Sequence, residues 1–381
     1  MNPDSRTVHA GREIHAREPL APPIVQAAVY VYDDLGDYDA VASGASGGHV
    51  YARYSNENVV TLEAAVADLE GAEGGMAALF AAVLALSPRP APIVVSRDAY
   101  GTTLGLLHED LAPLGYGVRE VDVDDLEAVG RALDGAALMI CETISNPLCR
   151  VADLDSLAAL GRERGVPVLV DNTFASPLLC QPLALGATAV VHSVSKYIGG
   201  HSDVIAGVLV GRSEVVERGR SVMTRTGGSL APFAAWLALR GLRTLHLRMR
   251  RHSENALRLA ESLAGVEEVR AVHHPLLDGS QRGALARRLL PHGSGGMFAF
   301  DLAGGRPAVQ AMLSRFRLVR FAASLAGVET TISYPEITSH RSLTPEQRLE
   351  RGITAGTVRV SAGLEDGEDL VEDFRQAIGG V

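Results

Sequence analysis

The sequence predicts an α/β fold, with a mainly parallel central sheet followed by a smaller C-terminal α/β domain. Short apolar runs alternate with helical segments, as in a sheet buried on both faces. Polar residues gather directly after those runs, where the binding crevice of such a sheet lies. The 381 residues, 47% hydrophobic and 21% charged, exceed the roughly 150 of one average domain and lack the charge-rich, apolar-poor character of disorder.

Residues 1–55 are expected to form an extended N-terminal arm, because Pro19, Pro22, Pro23, Gly36, Gly44, Gly47 and Gly48 interrupt any long helical period. Residues 56–245 then carry the main, ligand-binding domain. Its first helix spans Thr61 to Leu69, with Leu62, Ala65, Val66 and Leu69 on one face. Apolar runs follow at Ile93 to Val95, Leu138 to Cys141, Val166 to Val170, Ala189 to Val191 and Ile205 to Val210. A periodic segment from Pro232 to Leu263 reads as one long helix linking two domains, with Asn255, Arg258 and Glu261 on its solvated face. Residues 246–381 form the C-terminal domain, with strands at Met297 to Leu302 and Thr357 to Ser361. A terminal helix begins near Asp366, and the acidic stretch Glu365 to Asp373 is its solvated face.

Composition excludes several function classes. A net charge of -10 offers no overall positive field to draw nucleic acid. Met1 to Glu18 has no apolar core of the kind a secretory leader needs, so the expected location is cytoplasmic. Asn172 to Ser195 lacks charge, but Pro177, Gln181 and Pro182 interrupt it, unlike a membrane span. Cys141, Cys149 and Cys180 have neither disulfide-framework numbers nor metal-ligand spacing. His273, His274, His292 and His340 are scattered, His201 and Asp203 read as supports of a loop, and no metal site is expected.

The chemistry concentrates around Lys196, in His-Ser-Val-Ser-Lys-Tyr-Ile-Gly-Gly-His directly after an apolar run. Burying an ammonium is costly, and a lysine held in a pocket has a lowered pKa suited to attack on a carbonyl. Asp171 closes the preceding apolar run in Val-Leu-Val-Asp-Asn-Thr. On its own such an aspartate is a helix cap. Together, two neighbouring strand ends present an amine and a carboxylate, the pair that pyridoxal phosphate needs: one condenses with its aldehyde, the other keeps its ring nitrogen protonated.

The chain resembles the pyridoxal-phosphate enzymes of Cys/Met metabolism, the trans-sulfuration family of cystathionine γ-synthases, cystathionine γ-lyases and methionine γ-lyases. The likeness spans most of the chain, through Thr7-Val-His-Ala-Gly11, Pro22-Pro-Ile24, Tyr51-Ala-Arg53, Leu69-Glu-Gly71, Tyr100-Gly101 and Glu142 with Ser145-Asn-Pro147. It continues through Asp171-Asn-Thr173, Ser193-Val-Ser-Lys-Tyr197, Gly200-His-Ser-Asp203, Gly241-Leu-Arg-Thr-Leu245, Ser324-Leu325 and Arg359-Val-Ser361. The resemblance implies a fold-type I, aspartate-aminotransferase-like architecture and pyridoxal 5'-phosphate as cofactor.

Carried over residue by residue, it implies that Lys196 holds the cofactor and shuttles protons and that Asp171, with Thr173 beside it, serves the ring nitrogen. Tyr100 stacks on the ring and acts as acid or base toward the leaving side chain, Asn146 meets the ring hydroxyl, and Glu142 supports from behind. Ser193, Ser195 and the backbone of Ala81 and Ala82 face the phosphate. Tyr51 and Arg53 match the pair that reaches the phosphate from a neighbouring subunit, which implies a homo-oligomer of active dimers with shared sites, assembled as a tetramer. Arg359 would bind the α-carboxylate of a small amino-acid substrate through its bidentate fork, beside Ser324 and Asn146.

Some positions depart from the family. Phe80-Ala81-Ala82 replaces the usual Ser-Gly-Met, and Asn56-Glu57 replaces Asn-Pro. Thr102 stands where methionine γ-lyases carry cysteine, the Tyr-Gly motif runs on as Thr102-Thr-Leu-Gly105 without an arginine, and Ala323 replaces a glutamate. These changes favour a smaller or less charged substrate side chain. The expected reaction is γ-elimination from a sulfur-containing amino acid, giving a 2-oxo acid, ammonia and a thiol. γ-Replacement, β-elimination from cysteine or cystathionine, and a noncatalytic scaffold are the alternatives.

Overall fold

Short, continuous apolar strands build a sheet that is covered on both faces. The computed structural model describes residues 2–11, 19–70, 75–76 and 79–379; Gly71 of the Leu-Glu-Gly motif and Arg12 to Glu18 lie outside them. Seven strands form the first sheet: β1 (Gly75–Met76), β2 (Ile93–Ser96), β3 (Val118–Val121), β4 (Leu138–Glu142), β5 (Val168–Asp171), β6 (Ala189–Ser193) and β7 (Gly207–Gly211). Their order is β1-β7-β6-β5-β4-β2-β3, parallel throughout β6 to β3, with β7 antiparallel to both of its neighbours.

Successive residues along each strand enter different cores, as a period of two requires. Val94, Met139, Cys141, Val168 and Val170 pack on one face with Leu62, Val66 and Leu69 of the helix Glu57–Glu70. Ile93, Val95, Leu138, Ile140, Leu169 and Val191 pack on the other with Ala82 and Val83 of the helix Leu79–Leu86. The five strands β8 (Val269–His273), β9 (Met297–Leu302), β10 (Arg320–Phe321), β11 (Thr331–Ser333) and β12 (Thr357–Ser361) form a second sheet, in the order β10-β11-β12-β9-β8.

The long segment before β8 is two helices, Pro232–Leu242 and Leu245–Leu263, not one. The second joins the two cores: Leu245 and Met249 belong to the first, while Ala256, Leu259, Ala260 and Leu263 belong to the second. Asn255, expected in solvent, is buried and donates to the backbone carbonyls of Gly363 and Glu365. Arg258 and Glu261 are exposed as expected.

Two further expectations change. The arm contains short helices at Pro3–His9 and Leu35–Ala42, started by the side chains of Asn2 and Asp34, which accept backbone N–H bonds as N-caps. Asp373 is buried rather than solvated, because its carboxylate accepts the backbone N–H groups of Arg317, Leu318 and Val319. The terminal helix starts at Gly367, with Asp366 as its N-cap. Among the described residues no helix is long and apolar enough to cross a membrane.

Candidate active site

The parallel register delivers the polar residues to one end of the first sheet. Glu142 and Asp171 are the last residues of β4 and β5 and stand opposite one another in that register. Ser193 ends β6, and Lys196 follows in a tight turn closed by its own N–H to the Ser193 carbonyl at 3.1 Å. Tyr100, 46% exposed, precedes the helix Gly101–Gly105, and its backbone N–H donates to Glu142 Oε1 at 2.7 Å.

These residues line a cavity of about 440 Å³, together with Ile144, Asn146, Thr173, Phe174, Ser195, Ser202, Val204, Ile205, Ala323, Ser324, Leu325 and Arg359. The second sheet supplies Arg359 from β12, and the loop after β10 supplies Ser324. Arg359 is only 4% exposed; its Nη1 donates to Asn146 Oδ1 at 2.9 Å and its Nη2 to the Ser324 carbonyl at 3.1 Å. Among the described residues its Nε has no hydrogen-bond partner. A buried guanidinium that lines a cavity and has no carboxylate partner among the described residues is fitted to receive an anion.

Burial, reinforced by the positive charge of Arg359, lowers the Lys196 pKa, and Lys196 Nζ lies 3.2 Å from Ser324 Oγ. A larger fraction of this amine is therefore neutral than for a solvated lysine. Burial also raises the Asp171 carboxyl pKa, against two hydrogen bonds from Thr173 whose backbone N–H reaches Oδ1 at 2.9 Å and whose Oγ1 reaches it at 2.5 Å. Thr173 Oγ1 accepts in turn from the Ser193 N–H at 2.8 Å, so that one hydroxyl ties β5 to β6. Glu142 is raised well above the ordinary carboxylate value by burial and by the negative charge of Asp171. A cation placed against Asp171 would relieve both carboxyls.

Not every expected residue reaches this cavity. Ala81 and Ala82 are in the core, and the residues of their helix that reach the wider mouth are Leu79 and Phe80. The Ser195 hydroxyl is engaged with the backbone of Ala206, accepting its N–H at 2.9 Å and donating to its carbonyl at 3.2 Å. Tyr51 and Arg53 stand apart from the cavity lining of their own chain; the Arg53 guanidinium lies 5.4 Å from the Tyr51 ring centroid and 5.7 Å from that of Tyr54. Thr102, Gly105 and Ala323 line the mouth.

One positioning residue escaped the sequence reading. Buried Arg248 donates to the carbonyls of Tyr197, Ile198 and Gly241 and to Thr244 Oγ1, which fixes the segment just after Lys196. The signal was available: Arg248 falls on the apolar stripe Leu245, Met249, His252 and Ala256 of its helix, where a charge needs a buried partner.

The model of the Cys/Met metabolism PLP-dependent enzymes matches residues 4–379. The chain belongs to this family. As a Cys/Met metabolism enzyme it depends on pyridoxal phosphate, and the cavity suits that cofactor: an amine of lowered pKa, a carboxylate from the neighbouring strand end and a buried guanidinium line it together. The family enzyme is 38% identical to an L-methionine γ-lyase of Pseudomonas putida, over 94% of this chain and 92% of the relative. It is 40% identical to a cystathionine γ-synthase of Mycobacterium bovis, over 99% of this chain and 97% of the relative. A solved structure from Campylobacter jejuni, assigned as an O-acetylhomoserine (thiol)-lyase and carrying N'-pyridoxyl-lysine-5'-monophosphate, superposes with a TM-score of 0.94 at 27% identity, covering 100% of both chains.

Proposed function

We propose that this family enzyme catalyses γ-elimination from a sulfur-containing amino acid, releasing a thiol, ammonia and a 2-oxo acid. The observation that carries the reading is the pairing, in one cavity, of Lys196, whose pKa burial lowers, with the Arg359 guanidinium, which has no carboxylate partner among the described residues. One is a base; the other orients a carboxylate beside it.

When bound, pyridoxal phosphate supplies an aldehyde for amine condensation and a ring that accepts electron density from the substrate. Lys196 Nζ would hold it, Asp171 would pair with its ring nitrogen, and Asn146 would meet its ring hydroxyl. Ser193 and Ser195 would face its phosphate, as would the start of the helix Leu79–Leu86. Tyr51 and Arg53 would complete the phosphate site from a second copy of the chain, in a dimer that shares its sites and pairs into a tetramer; their exclusion from their own cavity supports this. The arm 1–55 thereby serves the partner, residues 56–245 bind the cofactor, and residues 246–381 bring the substrate arginine.

The chain's own residues divide the work. Arg359, pinned by Asn146 and the Ser324 carbonyl, takes the α-carboxylate and sets the Cα–H toward Lys196. Lys196 Nζ takes that proton and can return it farther along the side chain. Tyr100 Oη, on an exposed ring at the mouth, delivers a proton to the departing sulfur. Thr102 and Ala323, both uncharged, leave the mouth suited to a short side chain.

A second reading is γ-replacement, favoured by the 40% identity to a cystathionine γ-synthase. Incubating the holoenzyme with methionine, cystathionine, homocysteine and O-acetylhomoserine, each with and without a thiol, separates the two. Release of 2-oxobutyrate from methionine, cystathionine or homocysteine without added thiol establishes elimination. Product formation only when a thiol is present overturns it in favour of replacement.

A further inference from the structure

The strand alternation that turns Asp171, Glu142 and Ser193 toward the cavity turns their neighbours the other way. Thr143, Asn172 and His192 meet on the opposite face, beneath the helix Glu57–Glu70, whose last residue reaches in among them. His192 Nε2 lies 2.5 Å from Glu70 Oε1, and the two side chains are 1% and 0% exposed. Asn172 Nδ2 donates to the same Glu70 oxygen at 3.1 Å, and Asn172 Oδ1 accepts from Thr143 Oγ1 at 2.7 Å. Among the described residues Glu70 Oε2 has no partner.

We infer that Glu70 and His192 form a positioning pair for Asp171, clamping the ends of β5 and β6 from below so that the carboxylate is presented squarely to the cofactor's ring nitrogen. The inference rests on the reading of Asp171 given above. A fully buried histidine–carboxylate contact adds little net stability, since taking both groups out of water offsets their attraction. Its placement has another explanation in the two residues it touches. Asn172 is the chain neighbour of Asp171, and His192 is the neighbour of Ser193, whose N–H supports Thr173 and through it Asp171 Oδ1. The clamp thus closes from below the same strand junction that Thr173 closes from above. Burial disfavours the Asp171 anion; the two Thr173 hydrogen bonds counteract it first, and His192 acts in the same sense.

The test uses full-length apoproteins of wild type, His192→Asn, Glu70→Gln and Asp171→Asn, each dialysed to equilibrium against pyridoxal phosphate and against a carbocyclic analogue whose ring nitrogen is replaced by CH. Glu70→Gln preserves volume and an acceptor for Asn172, so it serves should His192→Asn fold poorly. The expected result is about tenfold weaker binding of pyridoxal phosphate by both pair variants, the size of one charge-assisted contact, with the analogue's affinity changed by less than about twofold. Equal loss for both ligands would show a merely structural pair and overturn the inference, as would no loss for either. Asp171→Asn separates the two failures. Selective loss there but not in the pair variants sinks the pair alone; no selective loss there sinks the assignment of Asp171 itself, and the pair with it.

Discussion

Arg359 Nη1 donates to Asn146 Oδ1 across 2.9 Å, joining the second sheet to the loop after β4 of the first. Both residues are buried, so the bond sets the direction of the guanidinium before any substrate arrives.

Substitution Arg359→Ala is therefore expected to raise KM for the amino acid about 100-fold, the worth of two charge-assisted hydrogen bonds. Cofactor affinity should change little. Steady-state kinetics alongside cofactor dialysis measure the two separately, and equal damage to both would contradict the assignment of Arg359 to the substrate.

Lys196→Ala removes the proposed base and cofactor-holding amine together. Turnover should fall by at least about 10³-fold, toward the upper range for losing a general base. The absorbance band of the protein–cofactor adduct should vanish. Retention of full lyase activity would refute the mechanism.

Glu142 offers a test with a defined sign. Burial and the charge of Asp171 raise its pKa well above the usual 4.5, so between the two values the folded protein binds more protons than the unfolded chain. Stability from this group is full below about pH 4.5 and declines as pH rises through the folded value. Glu142→Gln keeps an acceptor for the Tyr100 N–H and removes the charge. The cofactor-free variant should melt a few degrees above wild type at neutral pH, with the gap closing near pH 4. A constant gap across that range would count against the repulsion.

Buried His274 predicts the opposite slope. Burial lowers its pKa from 6.5 to about 4, and its Nδ1 accepts the Leu276 N–H at 3.2 Å while Nε2 faces Ser294 Oγ at 3.1 Å. Protonating Nδ1 would set two donors against each other. Between these pKa values the unfolded chain binds the extra proton, so stability is lost as pH falls from about 6.5 through 4. His274→Gln should flatten the fall in Tm over that window, measured by thermal melts in matched buffers.

Gly241→Ala probes the packing behind the lysine loop. A Cβ there would stand 2.0 Å from the Gly199 carbonyl oxygen and 2.8 Å from that of Ile198. Backbone oxygens cannot swing aside, and a loss of about 3 kcal/mol is expected, read by denaturant unfolding. A variant as stable as wild type would show that the helix can withdraw.

The first sheet was legible because its strands are continuous apolar runs, and parallel sheets place their sites at the carboxyl ends. That rule alone brought Glu142, Asp171, Ser193 and Lys196 together. Arg359 was legible only through the resemblance, since nothing local tells a buried arginine in a strand from a surface ion pair. The edge strand Val118–Val121 escaped because its alternating residues are only partly buried. Asn255 and Asp373 were misplaced for a different reason: each satisfies backbone groups far away in sequence, and polar character then mimics solvent exposure. Glu70 and His192 likewise meet only after the helix has crossed the sheet.

Arg359 stands near the end of the chain, on a strand that pairs only with strands of the second sheet. During synthesis, Lys196 and Asp171 would emerge from the ribosome well before it. A nascent chain can thus assemble a lysine-bearing floor while the wall assigned above to the amino acid's carboxylate is still missing.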